Sequence, residues 1–311
     1  MKLIFMGTPD YAAQSLEAII QAGHEVLLAV TQPDKPKGRS GELLPPPVKV
    51  CAMEHGIPVF QPERIKRPEA VTELRKYDAE VFVVAAFGQI LSQEILDMPK
   101  YGCLNVHASL LPKYRGASPI QRVILEGEEK TGITIMQMDA GIDTGDILYQ
   151  KEIPIEDTDD FESLSDKLSA LGGVAITEAL KLLSEGKLTA TKQDGELSCY
   201  APLISKEMGR IDFSKDAKSL DRQIRSMTPW PSAFTKWNGK QLKIWKATAE
   251  CGDVSHAAAG EVLEVGKDSF TVATSEGTLV IRELQLEGKK RMSTHDFLLG
   301  IKLAPGDMLG K

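Results

Sequence analysis

The chain has 311 residues, 42% hydrophobic and 26% charged. This is an ordinary globular composition, long enough for two cores and unlike a fibrous or low-complexity polymer. The net charge of −7, from 37 basic and 44 acidic residues, taken alone argues against a polyanionic partner. Cys51, Cys103, Cys199 and Cys251 include no close pair, and neither MKLIFMGTPDY nor any later run is apolar enough for export or a bilayer span; a reducing, cytoplasmic setting is expected, without disulfide scaffold or zinc spacing.

KLIFMG, residues 2–7, reads as a buried first strand. Thr8 is placed to cap the next helix, with Pro9 at its first position, and Leu16 and Ile19 then share a face. VLLAV (26–30), AEVFVVAA (79–86), CLNVH (103–107) and ITIMQM (133–138) follow as strands. The continuous apolar run at 79–86 suits a strand covered by helices on both sides. Helices are expected near 47–55, 68–76, 88–97 and 117–126, and the alternation predicts an α/β unit with a largely parallel sheet. From Phe161 through Leu164, Leu168, Leu171, Ala175 and Ala179 to Leu182, apolar residues recur every three or four positions. That spacing predicts one long amphipathic helix, with Thr158 as its cap.

After Gly186 the period is lost, and 187–209 reads as a connecting stretch. SLDRQIRSM (219–227) is a short helix. AFTKW, QLKIWKAT, GEVLEV, SFTVAT and TLVIREL are short β-prone segments, several separated by glycine turns, as in a small barrel or sandwich. The expected plan is a domain over 1–189, a linker over 190–208 and a β-rich domain over 209–311. Charge changes along the same line. Residues 1–204 carry 20 Lys/Arg and 30 Asp/Glu, residues 205–311 carry 17 and 14, and 205–250 alone carries 10 against 5. Local patches govern polyanion binding, although an ordinary solvated surface accounts for the same counts.

Ligand sites in open α/β sheets lie beyond the carboxyl ends of strands. Asn105 and His107 end the CLNVH strand, two positions apart and so on one side of it. Asp143 lies in DAGIDTGD, after the next strand. Asn offers a neutral N–H to developing oxyanion charge, His exchanges a proton near neutrality and donates when protonated, and a carboxylate orients an imidazole. The set suits acyl-type transfer to an amine; a structural histidine and a turn-closing aspartate are the plainer reading. GxGxxG, GxxxxGK[ST] and HExxH are absent, and Ser109 lacks a GxSxG elbow. His24, His55, His107, His256 and His295 suggest no metal-ligand cluster.

NVHASLLPKYRGASPIQ with MQMDAGIDTGDIL resembles the catalytic core of the folate-dependent formyltransferases. The resemblance implies Asn105, His107 and Asp143 as the catalytic triad, 10-formyltetrahydrofolate as formyl donor, and no metal. It implies a folate pocket lined by Ser109, Leu110, Leu111 and Pro112. Phe87, Ile90, Leu91 and Leu104 would form its apolar wall, with backbone groups from Gln89 to Leu91 and from Asp139 and Ala140 to Ile142. The shorter purine-pathway members leave the second domain unexplained, whereas sugar-nucleotide members can carry a comparable one. FMGTPDYA, QPDKPKGRSGELLPPPVK, FQPERI and RQIRSMTPWPSAFT resemble the branch that acts on initiator tRNA. The likeness spans essentially the whole chain and implies a Rossmann-like domain followed by a small β-barrel resembling an OB fold.

That branch implies initiator methionyl-tRNA as acceptor, and a cytoplasmic monomer with no membrane or obligate protein partner. Lys35, Lys37, Arg39 and Lys49 lie in the segment such enzymes use to grip the acceptor stem, and Arg39 matches their important arginine. An arginine fork holds phosphate or a base edge; a solvated basic loop is the plainer reading. Lys206 and Arg210 are expected to contact phosphate, which positions the partner without reading bases. Trp230, Trp237 and Trp245 are expected to pack the domain rather than stack on bases.

Overall fold

The structure is a computed structural model that describes residues 1–37 and 42–310; Arg39 lies outside the described residues, as does the side chain of Lys37. Two compact units divide the chain. The first comprises Met1–Pro119, Lys130–Pro154 and Ser165–Ala201, and the second Ile120–Glu129, Ile155–Leu164 and Pro202–Lys311.

In the first unit, strands β1 (Lys2–Gly7), β2 (Glu25–Val30), β3 (Lys35–Lys37), β4 (Glu42–Leu44) and β5 (Val59–Phe60) are followed by β6 (Val81–Ala85) and β7 (Cys103–His107). Then come β8 (Arg115–Gly116), β9 (Lys130–Gln137), β10 (Ile147–Pro154) and β11 (Tyr200–Ala201). The main sheet has the order β10-β9-β7-β6-β1-β2-β5. Its five strands from β7 to β5 are parallel. Apolar β1 and β6 are buried along almost their whole length, as a strand covered on both faces must be.

The expectation of a largely parallel sheet holds for those five strands, but ITIMQM belongs to β9, which pairs antiparallel with β7. A parallel return needs a crossover that packs back on the sheet. The helix between β7 and β9, Pro119–Glu126, groups from Ile120 onward with the second unit.

Caps also differ from expectation. The helix Asp10–Gln21 has Pro9 at its N-cap, without a side-chain cap bond. Thr8 instead donates to the Phe87 carbonyl at 3.2 Å and accepts from Gln32 N–H at 3.3 Å. It thereby ties together the segments leaving β1, β2 and β6. The long helix runs Phe161–Ser184, and Asp160, directly before it, caps it rather than Thr158. Asp160 Oδ1 accepts from Ser163 N–H at 2.9 Å, and Ser163 Oγ accepts from Asp160 N–H at 3.1 Å, a reciprocal box. The helix expected over 88–97 shortens to Gln93–Leu96, because Ala86 and Gly88 adopt positive φ and break the helical path.

The aperiodic stretch after Gly186 is irregular chain with 3-10 turns at Gly195–Leu197 and Lys206–Gly209, held at intervals. Thr191 bridges to Ile147, and Tyr200–Ala201 adds to Arg115–Gly116 as a parallel pair. In the second unit the helix Ala217–Met227 is capped by Asp216, whose side chain accepts from Ser219 N–H. Strands β12 (Ala233–Trp237), β13 (Lys240–Glu250), β14 (Val262–Val265), β15 (Phe270–Ala273), β16 (Thr278–Leu286) and β17 (Met292–Ser293) complete the set. They form an antiparallel sheet in the order β12-β13-β16-β15-β14, with β17 on β16. This OB-like barrel closes over Leu242, Ile244, Phe270, Leu279, Ile281 and Leu284.

Trp237 is buried and meets Phe297 edge-on at 5.9 Å. Trp245 lies under Arg291 at 4.8 Å and near Lys243 at 5.6 Å. Trp230 departs from the packing expectation: between two prolines in a turn, it is 53% exposed. Among the described residues no helix is long and apolar enough to cross a membrane.

Candidate active site

β7 carries Asn105 and His107 on one side, with Val106 turned the other way. Asn105 lies opposite Val84 and Met136, and His107 opposite Thr134. His107 is 6% exposed. Its Nε2 donates to the Tyr114 carbonyl at 3.0 Å. A carbonyl only accepts, so Nε2 carries a proton and Nδ1 is the nitrogen left to exchange one. Nδ1 stands 3.6 Å from Asp143 Oδ2, just beyond a direct hydrogen bond. Asn105 is half-buried, and its side chain has no hydrogen-bond partner among the described residues.

Asp143 does not reach His107 from the carboxyl edge that the sequence reading invoked. Antiparallel β9 ends beside the start of β7, where Met138 N–H donates to the Cys103 carbonyl at 2.8 Å. The following segment returns along the sheet to bring Asp143 to the other end of β7. Asp143 holds a φ of 53°, uncommon for a side chain with a Cβ. Its Oδ2 accepts from Gly116 N–H at 2.8 Å, and its carbonyl accepts from Gln193 Nε2 at 2.9 Å. A Cβ on Gly145 would lie 1.7 Å from the Gln137 carbonyl, so glycine is what lets this return pass.

Tyr114, Gly116 and Gln193 are the residues that motif reading missed. The 114–116 segment is held from the far side by Cys199–Ala201: Tyr114 N–H donates to Cys199 Sγ at 3.2 Å and Arg115 N–H to the Cys199 carbonyl at 3.0 Å. Gly116 was visible only as a glycine after YR. Gln193 sits in aperiodic TKQDGELS and carried no signal.

The expected folate residues divide into two groups. Phe87, Leu91 and Leu104 are buried, the first two within the core cluster of the sheet. Ile90 and Ile142, by contrast, are 68% and 57% exposed, unusual for large aliphatic side chains and suited to covering a flat apolar ring. The Gln89 side chain accepts from Ile65 N–H and donates to the Pro62 carbonyl, so it ties its loop to the 62–65 segment. Asp139 Oδ1 accepts from Gly141 N–H and the Thr144 hydroxyl, shaping the exposed turn that holds Ala140. Ser109 donates to the Lys113 carbonyl at 2.7 Å, and Leu111 N–H donates to Thr134 Oγ1 at 3.0 Å. Leu110 and Pro112 are half-buried.

Lys35 is exposed and reaches Gln32 Oε1 at 3.2 Å. Lys49 is committed to Asp34 and Gln61 at 2.8 Å each, and Lys49 first, then Gln61, holds the Asp34 carboxyl below its ordinary range. Lys206 and Arg210 are exposed in the second unit. A cavity of about 670 Å³ also belongs to that unit, lined by Arg222, Arg225, Trp245 and Arg291 with Asp157 and Glu283; it contains none of the expected site residues.

One further grouping of ligand-type side chains contains a single histidine. Glu17, Cys51 and His55 bring ligand-type atoms within 4.8 Å of one another. His55 Nε2 and Glu17 Oε2 are 2.7 Å apart, and Cys51 Sγ donates to the same oxygen at 3.5 Å. Burial first, and Glu17 next, push the Cys51 thiol up to about 12.

Residues 1–180 match the formyl transferase family, and residues 203–302 match the formyl transferase C-terminal domain. The chain is 50% identical over 311 residues to the methionyl-tRNA formyltransferase of Citrifermentans bemidjiense, covering 100% of this chain and 97% of that one. It is 50% identical over 311 residues to that of Geotalea uraniireducens, covering 100% and 98%. Among solved structures, the N-formyltransferase of Helicobacter canadensis in complex with folinic acid and dTDP-3-aminofucose shares the fold. Its TM-score is 0.68 at 22% identity, over 94% of this chain and 100% of that one. A family match over the greater part of its length and end-to-end similarity to such relatives show that the chain belongs to the formyltransferase family, among the methionyl-tRNA formyltransferases.

Proposed function

We infer that the protein transfers the formyl group of 10-formyltetrahydrofolate to the free α-amino group of methionine on initiator tRNA. The products are N-formylmethionyl-tRNA and tetrahydrofolate, for translation initiation. The acceptor rests on one observation, the end-to-end match to relatives bearing that name. The chemistry is supported by the side chains gathered at the end of β7.

10-Formyltetrahydrofolate supplies the activated one-carbon group. Ile90 and Ile142 cover its ring, and backbone groups of the 89–91 and 139–142 segments meet its polar edge. The amide of Asn105, without a partner among the described residues, donates to the formyl oxygen as negative charge builds there. With Nε2 held by Tyr114, His107 acts through Nδ1: it takes the proton that the attacking amine loses as its nitrogen bonds the formyl carbon, and returns it to N10 as the formyl C–N10 bond breaks and tetrahydrofolate leaves. Asp143 faces the same nitrogen, orients the ring and offsets the charge it gains. No covalent link to the protein is required.

Residues 1–189 carry the catalytic centre, 190–208 link it to 209–311, and the second domain contributes to tRNA binding. Lys35, Lys37 and Arg39 grip the acceptor stem, with Lys49 anchoring the base of their segment, and Lys206 and Arg210 contact phosphates. The protein works as a cytoplasmic monomer.

The test is direct. Purified protein, 10-formyltetrahydrofolate and methionine-charged initiator tRNA should yield formylmethionine after deacylation. No transfer with verified donor and acceptor overturns the reading. Transfer to an amino-sugar nucleotide instead moves the protein to another branch of the family.

A further inference from the structure

We propose that Gln193 is a positioning residue for formyl transfer: by joining Arg115 to the Asp143–Gly145 turn, it sets the distance between the two groups that hold His107. The proposal rests on the formyl-transfer reading for its kinetic consequence, and its spectroscopic test is independent of that reading.

The hydrogen bonds form a closed circuit. Gln193 Oε1 accepts from Arg115 Nε at 3.0 Å and Nη2 at 2.8 Å. Its Nε2 donates to the Asp143 carbonyl at 2.9 Å and the Gly145 carbonyl at 2.7 Å. Both N–H donors and both oxygen lone pairs of the amide are used, its full capacity. The circuit closes through Gly116, which follows Arg115 and donates its N–H to Asp143 Oδ2 at 2.8 Å.

The two arms of this circuit are the two partners of the imidazole. One carries Tyr114, whose carbonyl accepts from Nε2 at 3.0 Å; the other carries Asp143, whose carboxylate faces Nδ1 at 3.6 Å. The arms are far apart in sequence, and Gln193 bonds to both. It also supports Asp143 in a left-handed conformation that needs outside contacts to persist. If the bridge is removed, Asp143 is free to relax away from Nδ1 or to pull on the Gly116 N–H. The ring then loses the fixed frame that decides which nitrogen carries the proton. Only a side chain that donates at one end and accepts at the other serves both arms.

That requirement separates positioning from simple cohesion. Gln193→Glu keeps the shape and pairs more strongly with Arg115, but its carboxylate opposes two carbonyls. Gln193→Met keeps the bulk and loses every hydrogen bond. Both variants are expected to lower kcat by about 10- to 100-fold, the scale of sub-ångström misplacement of a reacting group, with KM for donor and for tRNA within about threefold of the parent. Rescue of kcat by Gln193→Glu would show that only the Arg115 contact matters and would overturn the proposal.

The second measurement needs no substrate. Nitrogen NMR of histidine-labelled full-length protein, with the His107 signals assigned through His107→Asn, should show Nε2 protonated and no form protonated on Nδ1 alone in the parent. A mixture of ring tautomers is expected in the Gln193 variants. An unchanged His107 spectrum, or unchanged kcat, overturns the proposal. If Gln193→Met fails to fold, the near-isosteric Gln193→Glu carries both tests. If the parent itself transfers no formyl group, the functional reading fails while the tautomer result still decides whether Gln193 positions the ring.

Discussion

The His107 centre and the basic segments proposed for tRNA are built in contrasting ways. Around His107, side-chain polar atoms are committed, mostly to backbone groups: Nε2 to the Tyr114 carbonyl, Asp143 Oδ2 to the Gly116 N–H, and the whole Gln193 amide to two loops. Asn105 is left with its amide uncommitted among the described residues. Lys35, Lys206 and Arg210 instead stand exposed, and Lys49, tied to Asp34 and Gln61, is the member bound into the scaffold. A reacting group has to be held to a fraction of an ångström, whereas a phosphate contact needs charge and reach. The two regions should therefore respond differently to mutation and to salt.

The largest effect is expected at the uncommitted amide. Asn105→Ala should lower single-turnover formylation about 100- to 1,000-fold, as loss of an oxyanion donor does, and leave the thermal unfolding midpoint close to the parent value. A loss below tenfold would remove the contrast, because the centre would then tolerate truncation as a surface cation does.

Next is the hinge of the circuit. Gly116 has a φ of 110°, and an added Cβ would meet the Tyr200 ring at 2.6 Å and the Ala201 carbonyl at 2.8 Å. Gly116→Ala should destabilise the fold by about 1–3 kcal/mol, read by denaturant unfolding, with activity falling too as the Asp143 contact shifts. Parent-like stability would mean that the β8–β11 pairing yields easily and does not hold the site.

The smallest effects belong to the cations. Arg39→Ala should raise KM for tRNA by about tenfold, a loss near 1.4 kcal/mol, while donor affinity stays at the parent value. Lys206→Ala and Arg210→Ala should each weaken tRNA binding by a smaller factor and lower the salt slope by about 1. Equal loss of donor and tRNA affinity in Arg39→Ala would assign this segment to the catalytic frame and erase the distinction between the regions.

The legible part of the site follows the reach of local rules. Strand alternation in CLNVH places Asn105 and His107 on one side, and β7 bears that out. Apolar runs placed β1, β2 and β6 close to where they are observed, whereas the two-residue β5 was not anticipated. Gln193 was silent because its partners lie 50 and 78 residues away and a polar residue in an aperiodic stretch has no periodic signature. The apolar folate expectations show the same limit from the other side. Phe87, Ile90, Leu91 and Leu104 are chemically alike, and only packing distinguishes the exposed Ile90 from the three buried ones.

By itself the sequence determined the β-α alternation, the β-rich second domain, the Asn–His pair and the family motifs, because strand and helix periods and a few polar residue types are local properties. The tertiary structure decided that β9 runs antiparallel, that Asp143 returns along the sheet to Nδ1, and that Gly116 and Gln193 hold it there. Those outcomes depend on hydrogen bonds between distant segments, and a buried polar group takes whichever partner the completed fold brings within about 3 Å.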